Sequence, residues 1–94
     1  MSAVHETPVQ RCWKLPVWDA DALLHDPGLF RAAKEIETGL GYRGRLMIRR
    51  EDASRIRILV EARTGEKCLL AMLRFVRAAE KKKYVTGLAE EEAL

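Results

Sequence analysis

Along residues 9–17 the apolar side chains Trp13, Leu15 and Val17 alternate with Lys14 and Pro16. A period of two predicts a strand, and the proline predicts that it lies at a sheet edge, where a missing backbone donor is tolerated. Residues 1–8 show no period and end at Pro8, which predicts a flexible lead-in. Residues 19–25 carry no decisive pattern and are compatible with a helical turn. Asp26-Pro27 then marks a helix start: Asp accepts hydrogen bonds from first-turn amides, and Pro at the first helical position leaves no donor unpaired. Leu29, Phe30, Ala33, Ile36 and Leu40 follow at three- and four-residue spacing, and Gly39 and Gly41 stop the helix.

The period then returns to two. Leu46 and Ile48 alternate with Arg45, Met47 and Arg49, and Ile56, Ile58 and Val60 alternate with Arg55, Arg57, Leu59 and Glu61. The short polar link at residues 51–54 makes these two strands a hairpin. A second helix begins at Thr64 as N-cap, with Glu66 at its positive end and an apolar stripe of Cys68, Leu69, Met72, Phe75, Val76 and Ala79. Lys81, Lys82 and Lys83 read as its solvated cap, residues 84–86 allow a brief strand, and residues 87–94 form an acidic tail. The expectation is one α+β domain over residues 9–86, in the order β-α-β-β-α, with two helices on one face of a small antiparallel sheet and the other face uncovered.

Side chains also set the hairpin register, because opposed residues share a face. Pairing Arg50 with Ile56 places Arg45 opposite Glu61, Met47 opposite Leu59 and Arg49 opposite Arg57, with residues 51–55 as the loop. Two arginines face to face repel, which is the arrangement of an anion site unless Glu51 or Asp52 neutralises them.

The chain has 94 residues, enough for one core and too few for an interdomain cleft. It is 48% apolar and 33% charged, the composition of a globular domain. No apolar run reaches the roughly 20 residues of a membrane span, and the N-terminus lacks the features of a secretory signal, so a cytoplasmic location is expected. The net charge of +3 is small and its bases are interleaved with acids, so charge alone does not single out nucleic acid. The informative feature is the cluster of seven arginines between positions 43 and 63, most of them on the hairpin.

In the hairpin the sequence resembles the C-terminal domain of the α-D-phosphohexomutases, particularly the phosphoglucosamine mutase branch. The run Glu37-Thr38-Gly39-Leu40-Gly41-Tyr42-Arg43-Gly44-Arg45-Leu46-Met47-Ile48-Arg49-Arg50 and the strand Arg55-Ile56-Arg57-Ile58-Leu59-Val60-Glu61-Ala62 carry the resemblance, which extends in a generic way over residues 9–84. It implies a TATA-binding-protein-like α+β fold. It also implies that the hairpin loop stands where that family holds the non-reacting phosphate of its substrate, with the pattern Arg-x-Ser-Gly-Thr-Glu-Pro-x-x-Arg. Arg49 matches the arginine before the loop and Arg57 the one after it, so Arg49, Arg50, Ser54 and Arg57 are the candidate anion-binding residues. The loop is degenerate: Glu51-Asp52-Ala53-Ser54 replaces Ser-Gly-Thr-Glu-Pro, without the glycine that lets amides wrap a phosphate. The family's phosphoserine, magnesium loop and sugar-recognition loop lie on other domains, so no catalytic residue and no cofactor is expected in this chain.

The remaining chemistry-bearing residues are sparse. His5 and His25 have no ligand partners at metal spacing, Cys12 and Cys68 read as small core residues, and no nucleophile has a base beside it. Trp13 and Trp18 suit a core better than base stacking. Two functions fit. One is a non-catalytic interaction module that docks a protein partner or a second copy on the uncovered sheet face, through Arg45, Met47 and Leu59. The other is a weak binder of sugar phosphate or nucleic-acid backbone through the hairpin arginines.

Overall fold

The computed structural model describes residues 7–94, so His5 and all but the end of the expected lead-in lie outside the described residues. The elements in chain order are strand β1 (Val9–Pro16), helix α1 (Ala20–Leu24), helix α2 (Pro27–Gly39), strands β2 (Arg45–Asp52) and β3 (Arg55–Ala62), helix α3 (Gly65–Lys81) and strand β4 (Glu90–Glu92). The strands form one antiparallel sheet in the order β2-β3-β1-β4. The helices pack on one of its faces, which makes the architecture α+β. One short helix and one short strand are added to the order that the hydrophobic pattern predicts.

Period-two alternation decides which face is covered. Trp13, Leu15 and Val17 and, from β3, Ile56, Ile58 and Val60 are buried against Leu29 of α2 and Cys68, Met72 and Phe75 of α3. Each helix begins at a side-chain cap: Asp19 accepts from the Ala22 amide at 3.0 Å, Asp26 from Gly28 and Leu29, and Thr64 from Lys67 at 3.1 Å. Gly41, at φ +82°, takes the left-handed position that ends α2. Two members of the expected apolar stripes fall outside the core. Phe30 is 62% exposed, because α2 lies over β2, the last strand of the sheet, and Leu69 sits on the outer side of α3.

Two expectations about the sheet are corrected. First, β1 is interior, between β3 and β4. The Val17 amide donates to the Ser54 carbonyl at 2.9 Å, so odd-numbered positions of β1 direct their backbone groups toward β3 and even-numbered ones toward β4. Pairing with β4 stops at Lys14, and the donor that Pro16 lacks therefore falls beyond the ladder. The chain passes close there: the Thr86 amide donates to the Pro16 carbonyl at 3.0 Å, and a Cβ on Gly87 would lie 2.8 Å from the Pro16 ring. Second, the expected acidic tail contains β4. Its glutamates find cations on β1 and β3, including a two-pronged bond from Arg11 to Glu91 at 2.6 and 2.7 Å. The region around residues 84–86 adds a single bridge, Val17 to Val85.

Asp26 joins the start of α2 to the end of α3. Besides capping α2, it accepts from the Lys82 ammonium at 2.6 Å and the Tyr84 hydroxyl at 3.0 Å. One member of the lysine triplet is thus part of an interhelical joint. Lys82, with the Leu29 amide and the Tyr84 hydroxyl, holds the Asp26 carboxyl down at about 2. A carboxylate whose folded-state value is depressed adds stability above its ordinary value, near 3.8, and loses that contribution as pH falls toward 2. Asp26→Asn should therefore lower the melting temperature most at neutral pH, and the gap to the wild-type chain should narrow between pH 4 and 2. Thermal melts followed by circular dichroism across that range check it, and a gap that stays constant with pH contradicts it.

Candidate functional site

The uncovered face of the sheet carries the side chains that alternation turns away from the helices. Their order follows from the register. Arg45 lies opposite Glu61, Met47 opposite Leu59, and Arg49 opposite Arg57, while across β1 Gln10 meets Glu61, Cys12 meets Leu59 and Lys14 meets Arg57. The hairpin register is the one argued from side-chain pairing. Only the loop differs, since Asp52 pairs with Arg55 across a bulge at Glu51 and leaves a two-residue turn. Three rows result: Arg45, Glu61 and Gln10; the less polar Met47, Leu59 and Cys12; and the basic Arg49, Arg57 and Lys14.

The basic row already contains carboxylates. Glu51 lies 2.9 Å from Arg57 and 3.4 Å from Lys14, and Glu92 of β4 lies 3.2 Å from each of them. Partial burial works against ionisation of Glu51, yet Lys14 and Arg57 hold its carboxyl below the ordinary range. Arg49 and Arg45 differ from this pair: neither has an ion-pair partner among the described residues. Each stands on β2 at the outer side of the sheet.

In the middle row, Met47 and Leu59 are half-buried and Cys12 is buried beside Glu92, with its Sγ 3.7 Å from a carboxylate oxygen. Burial and the adjacent carboxylate push the Cys12 thiol up, so it is a poor nucleophile. Cys68 is pushed up by burial as well and lies in the core.

The residues proposed for anion binding do not all share this face. Arg49 and Arg57 do. Arg50, paired with Ile56, turns to the helix side and meets Asp21 of α1 at 3.1 Å. Ser54 sits in the turn, where its amide and its hydroxyl both donate to the Asp52 carboxylate at 2.9 and 3.3 Å. The carbonyls of Ala53 and Ser54 accept from Ala20 and Val17, which ties the turn to the chain following β1. The donors of Arg50, Arg57 and Ser54 are therefore engaged by the protein's own oxygens, and Arg49 is the exception.

Lys14, Cys12 and Glu92 complete the face without having been singled out in the sequence. The alternation that buries Trp13 and Leu15 is the signal that places Cys12 and Lys14 opposite to them. Glu92 has no such signal, because three glutamates in a row carry no strand pattern. Trp13 is core, whereas Trp18 is exposed and stacks on Tyr84 at 6.1 Å. Among the described residues no group of three His, Cys, Asp or Glu side chains could hold a metal, and no helix is long and apolar enough to cross a membrane. No family model, curated protein or solved structure matches the chain.

Proposed function

We propose that this chain is a non-catalytic interaction module that docks a protein partner on the open face of its sheet. The observation that carries the reading is the one-sided packing of the helices. It leaves Met47 beside Leu59 in the middle of the other face, between Arg45 and Arg49, whose charges have no partner among the described residues. An apolar centre with an arginine rim is the composition of a docking patch. Arginine suits that rim because its guanidinium is weakly hydrated and pairs with carboxylates through two parallel bonds.

An anion site of the phosphohexomutase type has less in its favour. Glu51 and Glu92 occupy Arg57 and Lys14, two of the three cations of the third row, and Ser54 and Asp52 close the turn on itself. At Arg57 and Lys14 a sugar phosphate would compete with two carboxylates, which leaves Arg49 alone of the expected pair.

Substituting Met47→Ser and Leu59→Thr together separates docking from stability. Both side chains are half-buried, so the fold should lose no more than about 2 kcal/mol. A partner captured by the wild-type chain should be lost by the double variant and retained in high salt, since apolar contact is not screened. Capture unaffected by the substitutions, or abolished by salt alone, overturns the reading.

A further inference from the structure

β2 is the outermost strand on its side of the sheet, and its free edge has a definite hydrogen-bonding phase. The Leu46 amide donates to the Glu37 carboxylate of α2 at 2.9 Å instead of to β3. By antiparallel alternation, Leu46, Ile48 and Arg50 then all turn their N–H and C=O groups away from the sheet. Glu37 occupies the first of these donors, and the Arg50–Asp21 ion pair stands at the other end. Between them runs about 13 Å of strand with the Ile48 donor and acceptor at its middle.

Both sides of this edge are distinctive. On the helix side, a cleft of about 320 Å³ opens between β2 and the two N-terminal helices, lined by Leu24, Phe30, Ala33, Leu46 and Ile48 among others. On the open side, Arg45 and Arg49 project without ion-pair partners among the described residues. A strand added here would point alternate side chains into a mainly apolar cleft, which Lys34 and Glu37 also line, and toward two arginines.

We infer that β2 accepts an extended segment of an acidic protein partner as a fifth strand, with apolar residues entering the cleft and acidic residues between them meeting Arg45 and Arg49. Main-chain bonds to Ile48 supply affinity, and the cleft and the arginines supply specificity. A second copy of β2 fits this edge poorly. It would bring Arg45, Arg49 and Arg50 again, while its carboxylates Glu51 and Asp52 are held by Arg57, Lys14 and Ser54 of their own chain. The surface is the edge of β2 with the cleft on its helix side and Arg45 and Arg49 on its open side, so the inference shares those two arginines with the open-face reading but does not depend on Met47 and Leu59.

The probe is a short capped peptide alternating Val and Glu, titrated into isotope-labelled protein. Amide shifts should concentrate at Ile48 and Arg50, with slowed hydrogen exchange at Ile48. Replacing Glu by Lys in the peptide should weaken binding at least about tenfold. Ile48→Pro removes the outward donor without touching a bond to β3, and Ala33→Glu places a carboxylate in the cleft and leaves the strand intact. Each should weaken binding about tenfold or more, and Ala33→Glu decides the matter if the proline variant does not fold. Absence of shifts at about 1 mM peptide, or wild-type affinity in the folded variants, overturns the inference. Shifts confined to Met47, Leu59 and Cys12 overturn it too while supporting the open-face reading. A dimer of the free chain that Ile48→Pro dissociates assigns the edge to a second copy and likewise overturns it.

Discussion

Phe75→Ala should cost about 3–5 kcal/mol, a large part of the roughly 5–15 kcal/mol that holds a domain of this size together. Phe75 is 1% exposed and sits where α3 meets the strands. Truncation loses the transfer free energy of the ring and leaves a void, and the neighbours on β1 and β3 are fixed in a ladder that cannot follow it inward. The midpoint of thermal unfolding should fall by roughly 15–30 °C. Leu70→Ala, on the same helix but more than half exposed, should change stability by no more than about 0.5 kcal/mol. Denaturant titrations of the two variants test the pair. Similar midpoints for both would mean that α3 presents a different face to the sheet.

Ending the chain before β4 should make Cys12 reactive. In the full chain the thiol is buried, its Sγ lies 3.7 Å from the Glu92 carboxylate, and both conditions suppress the thiolate. Without residues 89–94 the cover is gone, and Lys14 and Arg57 lose Glu92 while standing next to the sulfur's row. Exposure, and two cations left with Glu51 as their one carboxylate among the described residues, each favour the thiolate. Labelling by a disulfide reagent at neutral pH should accelerate by about tenfold or more at Cys12, with Cys68 still protected in the core. Equal protection of both cysteines after truncation would show that β4 does not shield this face.

The two-residue and four-residue periods were sufficient to locate the hairpin, its register, α2, α3 and the side of the sheet they cover, because those elements bury a regular stripe. The face assignment of Met47 and Leu59 needed only the alternation of Ile56, Ile58 and Val60 beside them. What was not legible has physical causes. Pro16 argued for an edge position, but one residue beyond the end of a neighbouring ladder satisfies the same constraint, and local sequence does not distinguish the two. β4 is held by Arg11, Lys14 and Arg57, which are distant in sequence, so its own residues give no hint of strand. α1 is only five residues long, too short for a period to emerge, and its local signatures are confined to the cap Asp19 and to Asp21 in its first turn. At the candidate site, the facing Arg49 and Arg57 were evident and the β4 carboxylate that engages Arg57 was not. The resemblance in the hairpin drew Arg50 and Ser54 into one anion site. The register itself places Arg50 on the opposite face, and the Asp52 turn engages Ser54.

The strand order also fixes when the molecule can be finished during synthesis. β1 leaves the ribosome first, yet both of its neighbours are made later: Val9 pairs with Ala62, and Trp13 with Glu91. The β2–β3 hairpin can close as soon as it emerges, but β1 must wait for it and then for residues 90–92. Until the hairpin emerges the tryptophan and leucine of β1 have no sheet to enter. The sheet is therefore completed from the later strands inward: until residues 90–92 have emerged, β1 can pair on its β3 side alone and the edge that faces β4 stays open.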